Sequence, residues 1–303
     1  MLRHVLDALD LLADPRSDGA AAVAWLAERG ATRATHERLT SDAGHTDVVR
    51  VRLGPDAGPM LGILGVLGGT GLRPERPGLV SDADGAAVAL AVAAGLARWE
   101  ATGDALPGPV LVSTHLCPRA LSRPGHPAPM MTCPVPRERV LAAQLDPAMR
   151  GVLSVDATKA NRLLNRRGVA ITPAAREGWL LRVSDDLLAI LEAVTGEPAS
   201  VLPVVPQDVT PYASGVRHIN AILQPATLTA APVVGVAVTA ASVVAGSATG
   251  ANDAHVLDGA ARFCAEVARG FAAGRAALHD EEEYDRLVAL YGSMARLQGA
   301  GTA

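Results

Sequence analysis

The chain has 303 residues, 49% of them hydrophobic and only 19% charged, a composition that buries a large core and excludes an intrinsically disordered protein. Lys and Arg total 27 against 31 Asp and Glu, a net charge of −4, so the basic field that a phosphate backbone requires is missing and no nucleic-acid partner is expected. Three cysteines, Cys117, Cys133 and Cys264, are an odd number in a long chain and point to reduced thiols rather than a disulfide framework. The leading MLRHVLDALDLLADP carries acids among its leucines, unlike a signal peptide, and a cytoplasmic location is expected. The most apolar stretch, Ala230 to Gly246, is broken by Pro232, Gly235, Thr239 and Ser242, so it reads as a buried strand and not as a membrane span.

Leu2, Val5, Leu6, Leu9 and Leu12 recur at helical spacing up to Asp14-Pro15, and Ala20 to Arg29 repeats the pattern before Gly30. Thr46 to Leu53 alternates like a half-buried strand, whereas Met60 to Leu67 is almost wholly apolar and reads as a central strand covered on both faces. Ala86 to Trp99 predicts a helix, Pro109 to Ser113 and Gly151 to Val155 two strands, and Ser184 to Thr195 a helix capped by Ser184 and ended by Gly196. Pro232 to Thr239 continues the strand series, Val256 to Phe271 is amphipathic, and Glu281 to Leu297 has acids in its first turn, where the helix dipole favours them. Strands alternating with helices predict an α/β protein, and no linker or repeat divides residues 1–303, so one domain is expected. The irregular stretches follow strands, where an open α/β sheet places its ligand crevice. The longest, Thr114 to Pro136, carries six prolines, two cysteines and two histidines and is expected to be an active-site loop.

Three constellations carry chemistry. Gly68 to Gly85 contains Arg73, Glu75, Arg76, Asp82 and Asp84 ahead of a small-residue helix; one Asp caps that helix, or one caps it and the other faces the crevice as metal ligand or general base. Ser154-Val-Asp156-Ala-Thr-Lys159-Ala-Asn-Arg162 places a carboxylate at a strand tip with two cations behind it; these form a surface ion pair, or the cations hold a substrate carboxylate. His115, Cys117, His126 and Cys133 are zinc-ligand types without the paired spacing of a zinc finger. His115 is the best single candidate for acid–base work, and Cys117 is a candidate thiol nucleophile. Asp208, in Gln207-Asp-Val-Thr-Pro-Tyr212, presents its carboxylate to the crevice or closes an Asx-turn. The Gly65 to Gly71 and Gly246 to Gly250 stretches lack a full phosphate-loop pattern, and no G-x-S-x-G is present.

Ser81-Asp82-Ala-Asp84-Gly85 before a small-residue helix, and Ser154-Val-Asp156-Ala-Thr158 at a strand end, resemble the zinc aminopeptidase and carboxypeptidase superfamily with its two-metal site. The resemblance implies a three-layer sandwich, a central mostly parallel mixed sheet with helices on both faces. It also implies Asp82 as the metal-bridging residue and Asp156 as a second ligand. That family's His-x-Asp motif is replaced here by Gly65-Val-Leu-Gly-Gly and its Glu-Glu pair by Thr114-His115-Leu-Cys117-Pro118, which leaves His115 and His255 as replacement ligands. Along nearly its whole length, through LRPERPGLVSDADG, STHLCP, SVDATKANR and LYGSMARLQ, the chain more closely resembles a bacterial family catalogued as a domain of unknown function.

The function expected is a metal-dependent hydrolase, amidase- or peptidase-like, acting on a small peptide or amino-acid derivative. Zn or Mn would be held by Asp82, Asp156, His115 and His255. Asp84, His115 and Lys159 would be catalytic, and Arg73, Arg76, Arg162 and Asp208 would bind substrate. The same residues admit a metal-free lyase, isomerase or transferase using His115, Cys117 and Asp82, or a non-catalytic binding protein. Aromatic residues make up 3% of the chain, which favours a small polar ligand over a stacked base, and the high apolar content suggests a homo-oligomer.

Overall fold

The computed structural model describes residues 1–66 and 69–299. Leu67 and Gly68, where the sequence places the end of the apolar strand and the start of the next loop, lie outside the described residues. In chain order the elements are α1 (Leu2–Ala13), α2 (Gly19–Ala27), β1 (Ala34–Ser41), β2 (Gly44–Leu53), β3 (Met60–Gly65), α3 (Asp84–Ala101), β4 (Val110–Leu116), β5 (Leu121–Arg123), β6 (Met130–Thr132), α4 (Arg137–Gln144) and β7 (Met149–Ala157). There follow β8 (Gly168–Ile171), β9 (Ala175–Arg176), β10 (Trp179–Leu180), α5 (Asp185–Thr195), β11 (Val233–Thr239), α6 (Ala254–Phe271) and α7 (Glu281–Tyr291).

The continuous apolar runs become the parallel centre of a nine-stranded mixed sheet, because only a strand covered on both faces tolerates them. β4, β3, β7 and β11 are neighbours in that order and run parallel, with Ile63 opposite Val112 on one side and Leu153 on the other. Antiparallel strands flank them: β2 and then β1 beyond β4, and β8, β9 and β10 beyond β11. One face packs Leu61, Ile63, Val112, Val155 and Val236 against α1, α3, α5 and α6. The other face, carrying Met60, Leu64, Leu111 and Val152, is covered by Leu141 of α4 and by the irregular segment with Leu202, Val209, Ile222 and Leu223. The three-layer α/β arrangement is thus present, though part of one layer is loop and short 3₁₀ turns and not helix.

α3 is buried at every residue from Asp84 to Ala97, and its Ala, Gly and Val composition lets it lie between the sheet and two other helices. α5 is capped by Ser184, whose hydroxyl accepts from Leu187 N–H at 3.3 Å, and is followed by Gly196, as its sequence predicts. β4 runs three residues beyond the predicted Ser113 and takes in His115, while the 114–136 stretch contains the β5–β6 hairpin. The last long helix stops at Tyr291, before Gly292, and not at Leu297. No helix of the described residues is long and apolar enough to cross a membrane.

The end of β3 meets the start of α3 backbone to backbone. A Cβ on Gly65 would run into the Gly85 carbonyl and come to 2.7 Å from Thr114 Oγ1, and one on Gly85 would come to 2.7 Å from the carbonyls of Val66 and Val155. Gly65→Ala therefore overfills a joint with no flexible atom to move aside. Urea denaturation is expected to show a loss of about 1–3 kcal/mol with an unchanged m-value.

Candidate functional site

The chain goes from β3 to β4 in one direction along the sheet and from β7 to β11 in the other, so the loops diverge between the ends of β3 and β7. A crevice opens outside the strands at such a switch point. Asp156 comes from the last turn of β7, where it pairs in register with Ala237 of β11, and Asp82 comes from a 3₁₀ turn, Ser81–Ala83, between β3 and α3. Neither Asp82 nor Asp84 caps α3 through its side chain. The 246–248 backbone holds the turn, with Ser81 N–H donating to Ala248 O at 2.8 Å and Asp82 N–H to Gly246 O at 3.1 Å. It leaves no space for a side chain at Gly246, whose Cβ would come to 2.5 Å from both oxygens of Asp82.

Both carboxylates are buried. Burial, then the negative charge of Asp84, pushes the Asp82 carboxyl up to about 7, against the pull of Arg137 and Lys159. Burial, then the charge of Asp82, holds Asp156 well above the usual carboxylate range, again with Arg137 opposing. Among the described residues no hydrogen-bond partner reaches the buried Asp156 Oδ1. Asp84, fully buried, is committed elsewhere: it forms an ion pair with Lys159 and accepts from Asn252 Nδ2 at 2.7 Å. Lys159 Nζ also donates to Ala251 O at 2.9 Å, and Asn252 Nδ2 to Val80 O at 3.0 Å. Burial works against the Asp84 charge and the ammonium supports it. The Asp84–Lys159 pair expected to do catalytic work is thus an internal tie between the β3–α3 turn, the loop after β7 and the entrance to α6.

A narrow cavity of about 50 Å³ opens on Asp82 and is walled by Val66, His115, Cys133, Arg137, Gln144 and Gln224, among others. That volume admits only a few waters or a small group. Arg137 and Gln144 are the two ends of α4, a helix that its sequence, Arg-Glu-Arg-Val-Leu-Ala-Ala-Gln after a proline-rich loop, did not announce. The Arg137 guanidinium lies over the Tyr212 ring, 4.8 Å from its centre, and Gln144 Nε2 donates to Gly65 O at 3.0 Å. His115 is buried on β4, with Nδ1 2.9 Å from Thr46 Oγ1.

Other residues expected to bind substrate lie outside this wall. Arg73 Nη2 donates to Ala13 O and Arg76 Nη1 to Ser247 O, both at 2.9 Å, and Arg162 is exposed. Asp208 is fully buried, and its carboxylate accepts from the N–H groups of Val205, Ile219 and Asn220 at 3.0, 2.7 and 3.1 Å. This structural use of the carboxylate corrects its reading as a substrate ligand. Cys117 is sealed in a small apolar cluster with Leu72, Val80, Ala120 and Met131, and it is Cys133 that reaches the cavity.

The expected metal set does not assemble. Asp156 lies within electrostatic reach of Asp82, and His115 lines the same cavity as Asp82, but His255 is exposed on the first turn of α6. Among the described residues no three His, Cys, Asp or Glu side chains form a ligating group. A co-catalytic zinc pair, which takes three or more protein ligands per ion, does not fit this donor set. Two carboxylates with one orphaned oxygen match the lighter protein contribution taken by a hard, largely hydrated ion.

The raised carboxyls make the site a cost to stability. Between about pH 4 and 7 the folded protein binds a proton at Asp82 that the unfolded chain has released, so stability falls as pH rises through that window. Asp82→Asn in metal-free buffer is therefore expected to leave the unfolding free energy unchanged at pH 4 and to raise it by about 1–4 kcal/mol at pH 8. Denaturant titrations at the two pH values check this, and equal effects at both would contradict it.

With the geometry in place, solved structures show where the fold recurs. The chain is 17% identical to the bottromycin maturation enzyme BotP over 88% of this chain and 70% of that one, with a TM-score of 0.55. It is 15% identical to a cytosol aminopeptidase from Coxiella burnetii over 86% and 67%, with a TM-score of 0.51. It is 11% identical to the LapA aminopeptidase of Legionella pneumophila over 92% and 73%, with a TM-score of 0.50. BotP is also known in complex with Mn. At these identities the likeness is one of fold, that of the aminopeptidases. No curated protein sequence matches the chain. A family model described as "Protein of unknown function (DUF1177)" matches residues 37–301, and the chain belongs to that family.

Proposed function

We propose that the protein is a hydrolase that cleaves an amide bond in a small peptide or amino-acid derivative at the crevice between β3 and β7. One observation carries the reading: the buried carboxylate of Asp82 faces a cavity that Arg137 also lines, at a switch point where a second buried carboxylate, Asp156, lies within electrostatic reach of both. Arg137 suits the terminal carboxylate of such a substrate, because its fork makes two parallel hydrogen bonds. A carboxyl held near neutrality both takes a proton from an attacking water and returns it to the leaving nitrogen, the task of a general base that becomes an acid. Asp82 has that property. Burial and the nearby charge of Asp84 keep Asp82 basic, and Asp82 in turn helps to keep Asp156 protonated. The small cavity favours a compact substrate.

The aminopeptidases that share the fold support the reaction class by analogy only, and BotP in complex with Mn supports a divalent ion. Asp82 and Asp156 are the residues that would hold one hard ion such as Mn, and such an ion supplies Lewis acidity to a substrate carbonyl. Every proton transfer described above belongs to the chain's own side chains.

The test is a hydrolysis screen of dipeptides, amino-acid amides and N-acyl amino acids, with Mn, with Zn and with EDTA, alongside elemental analysis of protein purified without a His-tag. Turnover by the wild type is expected to drop at least about 100-fold in both Asp82→Asn and Asp156→Asn, and any bound metal is expected to vanish in both variants. Absence of hydrolysis under every condition, or full turnover in both variants, would sink the reading.

A further inference from the structure

We propose that Gln144 is the specificity-determining residue of the crevice: its side-chain oxygen receives the N–H of the amide to be cleaved. The site then takes amides that carry a hydrogen on nitrogen and refuses esters and N-alkylated amides. The inference borrows from the reading above only that an amide is the bond broken. Its own foundation is the inner face of α4. Arg137, Val140, Leu141 and Gln144 all line the cavity, and offsets of three, four and seven residues are those of one helix face. Seven residues of helix rise about 10 Å, so the two polar residues stand at opposite ends of the wall with an apolar step between them. Arg137, at the outer end, is half-buried, and Gln144 is fully buried.

The orientation of the Gln144 amide is fixed by its partner. Gly65 O accepts from Thr114 Oγ1 and from Gln144 Nε2, each at 3.0 Å. A carbonyl oxygen only accepts, so the amide nitrogen has to face it and Oε1 is the arm left over. Among the described residues no donor reaches that buried Oε1. The other glutamine of the wall differs: Gln224 Oε1 accepts from Tyr212 N–H at 3.2 Å, and its Nε2 donates to Thr210 O at 2.8 Å and to Asp208 O at 3.3 Å. Gln224 is spent on holding its segment, and Gln144 keeps one acceptor in hand. A buried acceptor without a donor is destabilising, and a ligand that brings the donor removes that cost.

The position of the oxygen selects the atom it meets. Asp82 opens on the same cavity, so a nitrogen held at Gln144 shares a compartment with the carboxyl that returns its proton as it leaves. An ester puts an oxygen lone pair where the amide has its hydrogen, and two acceptors then face each other out of water. A site built to bond an N–H rejects the analogue that lacks it. An N-methyl group removes the donor and also needs space.

Three compact probes differ at this one place: N-acetylglycine, its ester analogue O-acetylglycolate, and N-acetylsarcosine, with a methyl on nitrogen. Calorimetric titration of the wild type is expected to give a Kd at least about tenfold lower for N-acetylglycine than for either of the others. In Gln144→Leu the three are expected to bind within about twofold of one another. That variant also loses the bond to Gly65 O, a loss common to all three probes, so the ratio of affinities isolates the oxygen. Where turnover is measured, kcat/KM for N-acetylglycine should fall at least about tenfold relative to that for O-acetylglycolate in the same variant. The wild-type titrations decide the matter even if the variant does not fold. Equal affinity for the three probes, binding of none of them, or a preference that survives Gln144→Leu would overturn the proposal. Binding needs no turnover, so the two readings fail separately. N–H-dependent binding to a protein that hydrolyses no amide sinks the function and keeps the role of Gln144, and amide turnover without the preference does the reverse.

Discussion

The contact between Gly65 and Gly85 governs everything that happens at the crevice. Without side chains at this joint, the last residues of β3 and the first turn of α3 approach until each backbone lies against the other's carbonyl. Thr114 Oγ1 and Gln144 Nε2 both donate to the Gly65 carbonyl at 3.0 Å, so the strand end is also fixed from β4 and from α4. The short turn that results has no freedom to swing outward. It delivers Asp82 beneath the sheet's carboxyl edge, within electrostatic reach of Asp156, and sends Asp84 inward to Lys159. A wider joint would let water between the carboxylates and return both to ordinary acidity.

Charge is distributed unequally among the three aspartates. Asp84 is paired directly with an ammonium and an amide donor, whereas Asp82 and Asp156 have no such direct partner and are opposed from a distance by Arg137, with Lys159 adding its pull on Asp82. A fold selected for stability alone would not leave a buried oxygen such as Asp156 Oδ1 without a partner, since an unpaired buried acceptor costs about 1–3 kcal/mol. Unsatisfied polar groups concentrated at a switch point are the mark of a site that trades stability for chemistry.

The parallel centre of the sheet was legible because its strands are apolar throughout, and Asp156 was legible because a carboxylate ending such a strand has few other uses. The edges were not. β1, with Ala-Thr-His-Glu-Arg-Leu-Thr-Ser and one face in solvent, carries almost no apolar signal, and β9 and β10 are two residues each. α4 went unread because its apolar residues are few and its first turn is charged, and with it went Arg137 and Gln144. Sequence proximity favoured Cys117 as the partner of His115, two residues away on the same strand. The structure separates them: Cys117 continues into an apolar cluster, while Cys133 lines the cavity that His115 also lines. The zinc-ligand types were all visible, but ligand type does not report distance, and His255 is turned to solvent on the first turn of α6.

Asp208 has a consequence for the wall of the crevice. Its one carboxylate gathers the backbone of Val205, Ile219 and Asn220, and the same irregular segment supplies Ala221, Gln224 and Pro225 to the cavity wall. That wall belongs to no helix or strand of the sheet layers. The same segment packs Leu202, Val209, Ile222 and Leu223 onto the second face of the sheet, so one carboxylate ties the lining of the cavity to the hydrophobic core, and a change at Asp208 reaches both at once.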